Sequence, residues 1–503
     1  MELPVSSAHL LPTQKPSPVP MPTEPTDLSA IVTVCYLATL AVLGIYGLHR
    51  LVLVLHFRWT RRTQAEPTET DVLPTVAVQL PLFNERTVAR RLIRAAGELD
   101  YPVDRLEIQV LDDSSDETCA IVDEEVELLR ARGLNATVLR REDRTGFKAG
   151  ALENGMRVSK AELFCVFDAD FMPRADFLRQ LVGTFRDPAV GMVQARWGHV
   201  NRDESRFTRA QSTLLDGHFV IEHKVRHDSG LFFNFNGTAG IWRREAVEQA
   251  GGWQHDTLTE DLDLSYRSQL RGWKFVYAPY VVAPAEVPPG IGAFKSQQHR
   301  WAKGSVQVLR KLMGSIMSSR EPWRVKAEAW AHLTGNVGYP SVLLLSILLP
   351  LASGLQRQGF HWWHLAAFLA CTLSVGLFYE TSQRAIDRPL RRRLADTVLA
   401  MTLGIGMCVG QTRAVFSGMF GSTGTFVRTP KRGDGTAVRQ YRTPLTDLPG
   451  IELLFAAWFG WGLIAASRLG NWGSLPFLAL FFGGFAWVGT LSLREQFGRS
   501  QQG

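Results

Sequence analysis

Cysteine is scarce in this chain of 503 residues, and the five present, Cys35, Cys119, Cys165, Cys371 and Cys408, are scattered. No pair has the spacing that builds a zinc site or a disulfide framework, so both are excluded and the thiols read as apolar filler. A cleavable signal peptide is also missing. In its place residues 1–27 are rich in proline, serine and threonine, with Pro12, Pro16, Pro18, Pro20, Pro22 and Pro25, which predicts a disordered tail rather than a packed helix. Long apolar runs are lacking in the middle of the chain and plentiful at its ends, a contrast that predicts a membrane protein with a polar central domain. The formal net charge of +7 does not point to nucleic acid. Its basic residues flank apolar segments (Arg58, Arg61, Arg62; Arg388, Arg391, Arg392, Arg393), as cytoplasmic edges of membrane helices do. Ionisable residues are absent from the centres of 333–353 and 474–492, which argues against a transporter.

From Leu28 the chain is apolar to Leu48 and again from Leu51 to Leu55, long enough for a helix to cross a hydrocarbon layer of roughly 30 Å. After Trp301 apolar segments recur near 333–353, 362–379, 395–418, 450–467 and 474–492. If 395–418 crossed the bilayer, the loop Thr425–Thr443, with Arg428, Lys431, Arg432, Arg439 and Arg442, would lie outside, against the positive-inside bias. The segment, broken by Gly404, Gly406, Gly410 and Arg413, is therefore expected to lie along the cytoplasmic interface.

Between Thr75 and Ala195 short β-branched runs alternate with amphipathic stretches. Thr75–Leu80, Leu106–Leu111, Ala136–Leu139, Leu163–Phe167 and Val190–Gln194 read as strands, and Gly272–Tyr277 as a further short one. This predicts an α/β domain, a mostly parallel sheet covered by helices on both faces. Polar residues follow the strands: Pro81–Glu85, Asp112 and Asp113, Asp168 and Asp170. Ligands bind at the carboxyl edge of such sheets, so three loops are expected to meet at one crevice.

Each candidate has a functional and a plainer interpretation. Asp168-Ala169-Asp170 suits oxygen-only ligation of Mg²⁺ or Mn²⁺, or is a solvated turn or cap before Pro173. Asp112-Asp113-Ser114-Ser115-Asp116 offers acceptors to a base or ribose, or caps the helix after Glu117. Lys148, behind Gly146 at a helix start, is placed to meet a diphosphate. Thr259-Glu260-Asp261 supplies a general base, or is an N-cap with acidic first-turn residues. Gln297-x-x-Arg300-Trp301 grips a diphosphate and stacks on a sugar, or is an interfacial tryptophan with a snorkelling arginine.

Taken in order, Asp112-Asp113, Asp168-x-Asp170, Thr259-Glu260-Asp261 and Gln297-x-x-Arg300-Trp301 resemble the signature of processive family 2 glycosyltransferases, the cellulose and hyaluronan synthase group. Phe235-Asn236-Gly237-Thr238-Ala239-Gly240 and Gly251-Gly252-Trp253 resemble the cellulose-synthase-like A branch of glucomannan synthases, and Phe426-Val427-Arg428-Thr429-Pro430-Lys431 resembles a cellulose synthase gating loop. The chain departs from cellulose synthases at Asn236, where those enzymes carry a cysteine near the acceptor.

The resemblance implies a GT-A (Rossmann-like) cytosolic catalytic domain over 72–303, inserted between transmembrane helices, with helices lying at the interface over 304–332. The apolar segments and flanking charges place spans at 28–57, 333–380 (two) and 449–493 (two) and an interfacial helix at 395–418, and the resemblance adds a gating loop at 419–448. It further implies inverting transfer from UDP-glucose or GDP-mannose to a β-linked glycan, with a lipid acceptor as the alternative. Asp261 would be the base. Asp112, Asp113, Lys148, Asp168, Gln297 and Arg300 would bind the donor, Asp168 and Asp170 the Mg²⁺ or Mn²⁺, and Asn236 and Trp301 the acceptor. Phe426, Thr429 and Lys431 would close over the nucleotide. The implied partners are the nucleotide sugar, the acceptor and a membrane, with no nucleic acid. The composition favours the inner (plasma) membrane of a bacterium, or the Golgi membrane in a eukaryote.

Overall fold

Strands rich in valine, isoleucine and leucine bury both faces of a central sheet, and their alternation sorts the side chains into two cores. Val76, Val78 and Leu80 pack on one side with Ile108, Val110 and Phe167, while Ala77, Leu111, Phe164, Val166 and Trp242 pack on the other. The computed structural model describes residues 27–60, 73–355, 362–421 and 450–500. Its strands are β1 (Val76–Leu82), β2 (Leu106–Asp112), β3 (Asn135–Leu139), β4 (Leu163–Val166), β5 (Val190–His199), β6 (Gly240–Arg243) and β7 (Lys274–Ala285).

They form one sheet in the order β3-β2-β1-β4-β6-β5-β7. The pairs among β3, β2, β1 and β4 are parallel, β6 runs antiparallel to both β4 and β5, and β5 pairs parallel with β7. The sheet is thus mixed, and the chain has the α/β, GT-A-like architecture expected of it. Two strands are longer than their sequence predicts. β5 continues through Arg196 and Trp197 to His199, and β7 runs past Pro279 to Ala285, with a register irregularity between Ala195 and Arg196 where the two strands pair. β6 has no counterpart among the expected strands, because its four residues are too few to show alternation.

Helices long and apolar enough to cross a membrane lie at both ends: Ala30–Thr60, Trp323–Ser353, Gly450–Arg468 and Trp472–Phe497. The stretch expected as one interfacial helix over 395–418 is two helices, Leu390–Gly406 and Cys408–Phe420, bent by 52° at Met407. The two halves pack closely on different neighbours. A Cβ on Gly406 would lie 2.4 Å from the Gly484 carbonyl oxygen, whereas Arg310 Nη1 donates to the Gly418 carbonyl (3.1 Å) across the helix Ile291–Ser318.

The sheet domain and the apolar helices share an interior. Leu53, Val54 and Phe57 of the N-terminal helix pack with Val220, Ile221 and Val225 and with Phe378 and Tyr379. Beside this seam runs a polar chain: His49 Nε2 meets Glu328 Oε2 (2.9 Å), Arg226 Nε donates to Glu328 Oε1 (2.9 Å), and Arg226 Nη1 lies 3.4 Å from Glu222 Oε2. Arg226 is fully buried, so its charge depends on these carboxylates. The helical run that carries it, Arg206–Asp228, is π-helical over Gly217–His223.

Candidate active site

The parallel strands β1, β2 and β4 deliver their loops to one edge, where a cleft is lined by Phe83, Asp113 and Asp168 together with Lys148, Glu260 and Asp261. Asp168 and Asp170 both face it. No helix starts there, so the cap interpretation of this loop is not realised; Phe171 instead bridges to Ala285 at the end of β7. Lys148, in the first turn of the helix Phe147–Val158, ion-pairs with Asp168 and donates to the Gly237 carbonyl (2.8 Å).

Thr259-Glu260-Asp261 opens the helix Glu260–Leu270, but Thr259 makes no side-chain capping bond. Burial and the charge of Glu260 push the Asp261 carboxyl up to about 7, against the pull of Lys148. Burial also raises Glu260. Lys148 is drawn down by burial but held above its ordinary value by Asp168, Glu260 and Asp261. Burial lowers Arg300 to about 10, still cationic at neutral pH. Two cations and a carboxyl poised near neutrality thus share one cleft.

Close backbone approaches make this possible. Gly237 has a φ of +80°, and a Cβ there would lie 3.0 Å from Asp261 Oδ2. Phe235 N donates to Ser265 Oγ (2.9 Å), which donates to the Asp261 carbonyl (2.5 Å), tying the 235–237 segment to the helix of the base. A Cβ on Gly304 would meet Thr259 Cγ2 at 2.5 Å, so glycine lets the helix Ile291–Ser318 bring Gln297, Arg300 and Trp301 against the start of the Asp261 helix. Trp301 joins an aromatic wall with Trp197 (ring centroids 6.5 Å), which itself contacts Phe171 (5.3 Å) and Phe219 (4.9 Å).

The expected residues Asp113, Lys148, Asp168, Asp170, Asn236, Asp261, Gln297, Arg300 and Trp301 all line this cleft. Asp112 does not. It is buried at the end of β2, where its carboxylate accepts from Arg140 Nε (3.0 Å) and from the Ser114 amide (3.0 Å), so it holds the loop rather than a ligand. Asp113 is itself gripped by Arg141, with Nε to Oδ1 at 3.0 Å and Nη2 to Oδ2 at 2.5 Å. Phe426, Thr429 and Lys431 lie outside the described residues. Sequence reasoning missed Glu260 as a partner of the base, Trp197, and Arg144, whose guanidinium sits 3.2 Å from the Phe83 ring centroid at the cleft. Arg144 stands in the same basic run as Lys148, a signal that was present.

Among the described residues no three His, Cys, Asp or Glu side chains gather as a metal cage. A pair of carboxylates completed by substrate phosphates and water is the set Mg²⁺ commonly takes, so Asp168 and Asp170 fit such an ion.

Comparison with known proteins points to one family. The family model for glycosyl transferase family group 2 matches residues 163–379. Glucomannan 4-beta-mannosyltransferase 2 of Arabidopsis thaliana is 41% identical over 312 residues, which are 58% of this chain and 58% of that protein. A protein of Oryza sativa subsp. japonica named probable glucomannan 4-beta-mannosyltransferase 9 is 34% identical over 411 residues, covering 76% and 75%. The chain thus spans little more than half the length of several relatives it matches. In fold it is similar to a mannosyltransferase of Pyrobaculum calidifontis solved with GDP-Man and Mn²⁺, at a TM-score of 0.56 and 22% identity over 77% of this chain and 99% of that one. The chain belongs to the family 2 glycosyltransferases, with the cellulose-synthase-like A group.

Proposed function

We propose that this chain is a membrane-embedded, inverting hexosyltransferase that moves a sugar from a nucleotide diphosphate onto a growing β-linked glycan and exports the product. The observation that carries it is the Asp261 carboxyl, poised near neutrality in one cleft with Lys148, Arg300, Asp168 and Asp170. The acceptor hydroxyl gives its proton to Asp261 while its oxygen bonds to the anomeric carbon of the donor. The bond to the diphosphate breaks from the opposite face and the leaving group departs with the electron pair. Lys148 and Arg300 offset its charge. Asp168 and Asp170 would hold Mg²⁺ or Mn²⁺, which would neutralise charge on the leaving group. Inversion by direct displacement needs one base and no enzyme nucleophile.

The relatives' names favour GDP-mannose over UDP-glucose as donor and a glucomannan-like product. Asp113, Arg144 and Phe83 are the groups at the base end, Gln297 belongs with the donor, and Asn236 with the Trp301–Trp197 wall receives the acceptor. Residues 72–303 form the catalytic domain on the cytoplasmic side of the inner membrane, or of the Golgi membrane in a eukaryotic host. Purified enzyme supplied with labelled GDP-mannose and UDP-glucose in turn tests this, with products sized. Polymer from GDP-mannose is the expected result; low-mass glycolipid alone would replace polymer synthesis by a single transfer to lipid, and no transfer from any donor would overturn the proposal.

A further inference from the structure

The π-helical stretch Gly217–His223 supplies no group to the chemistry just described, yet it backs the cleft, through Phe219 against Trp197 and through two histidines against Asn236. His223 Nε2 lies 2.5 Å from Asn236 Oδ1, and His218 Nε2 lies 2.9 Å from Asn236 Nδ2. His218 Nδ1 in turn lies 2.9 Å from Glu222 Oε2. An amide nitrogen only donates and an amide oxygen only accepts, so the directions follow. Asn236 donates to His218 Nε2, which places the His218 proton on Nδ1, donated to Glu222. His223 donates from Nε2 to the amide oxygen. His223 is fully buried, and burial holds it neutral, which permits this single-donor arrangement.

Residues five apart stand about 140° from one another around an α-helix and share no face. The wider i→i+5 turn brings them together: the His218 and His223 ring centroids are 4.3 Å apart. Two imidazoles thus clamp one amide whose backbone N–H is also held, by Gln194 Oε1 at 2.9 Å. An asparagine amide has two donors and two acceptor positions, and the clamp uses one of each. Asn236 lines the cleft immediately before Gly237, at the closest backbone approach to Asp261. The remaining N–H and lone pair match a sugar hydroxyl, which both donates and accepts.

We infer that His218 and His223 are positioning residues for the acceptor: with Glu222 fixing the His218 tautomer, they lock the Asn236 amide in one orientation and so set how an acceptor sugar hydroxyl is held beside Asp261. This rests on the cleft being a glycosyl-transfer site. A non-polar replacement of either histidine frees the amide to turn over, without touching the donor groups.

The test uses the full-length protein in nanodiscs with the active donor and a soluble β-linked oligosaccharide acceptor. His218→Leu and His223→Leu are expected to raise the acceptor KM about tenfold while donor affinity, read calorimetrically, changes less than about twofold. His218→Gln and His223→Gln, which return an acceptor and a donor respectively, are expected to restore most of the acceptor affinity. His218→Leu combined with Asn236→Ala should be no worse than Asn236→Ala alone. Donor and acceptor constants worsening together, glutamine failing to rescue, or additive losses in the double variant would each overturn the inference while leaving the transferase assignment standing. A wild-type enzyme that transfers no sugar overturns both.

Discussion

Replacing Glu260 by Gln removes the like charge that, after burial, does most to hold the Asp261 carboxyl near 7. A like charge within roughly 4–6 Å, at an effective dielectric near 20, is worth about 3 kcal/mol, or ~2 pH units. Lys148 beside both carboxyls offsets part of that repulsion, so about one unit is the expected net effect. Lys148, Asp168 and Arg300 remain in place, although the two cations lose the support of the Glu260 charge. The assay is kcat/KM for transfer from about pH 5 to 9, which reports the ionisation of the free enzyme. A general base must be ionised, so the wild-type rate should climb tenfold per unit up to about pH 7 and then level. In Glu260→Gln the climb should end about one unit lower, leaving the variant faster than wild type near pH 5.5 relative to its own plateau. In Asp261→Asn the climb should vanish. A limb that stays in place in Glu260→Gln would refute the electrostatic argument, and one that survives in Asp261→Asn would remove Asp261 as the base.

Asp261→Asn should lower the plateau rate by about 10²–10⁴ with donor binding retained, and more than about a tenth of wild-type turnover would contradict its role. The same variant should be more stable at pH 8 but not at pH 4. A carboxyl whose folded pKa is raised stabilises fully below the unfolded value near 4 and loses that contribution as pH rises through about 7; a rise in Tm of about 3–6 °C at pH 8 is expected by thermal denaturation. Excess chelator should stop turnover and Mn²⁺ or Mg²⁺ restore it, and undiminished activity in chelator would dissociate Asp168 and Asp170 from a metal. Trp301→Ala should raise the acceptor KM more than the donor KM, and equal losses would make the indole structural.

What could be read from residues alone were the features that do not depend on register. Asp168-x-Asp170 and Asp261 sit on loops or helix starts that follow from local pattern, and the spacing Gln297 to Trp301 survives whatever helix carries it. Asp112 and Asp113 are adjacent, and successive strand residues face opposite ways, so only the paired register of β2 shows that Asp113 reaches the cleft and Asp112 turns into the fold. Trp197 was hidden because β-like alternation breaks at Arg196, where β5 nevertheless continues past an irregularity. His218 and His223 belong together only through a π turn, which no α-helical periodicity reveals.

The chain from His49 through Glu328 and Arg226 to Glu222 has a practical meaning for anyone isolating the catalytic domain. A fragment beginning after the N-terminal helix would lack His49, leave one carboxylate oxygen of Glu328 without its partner, and strip Leu53, Val54 and Phe57 from Val220, Ile221 and Val225. Glu222, which anchors His218, is on the same helical run as those newly bared side chains. The first helix is thus a wall of the domain, and a truncation without it would be expected to lose acceptor handling before it lost its sheet.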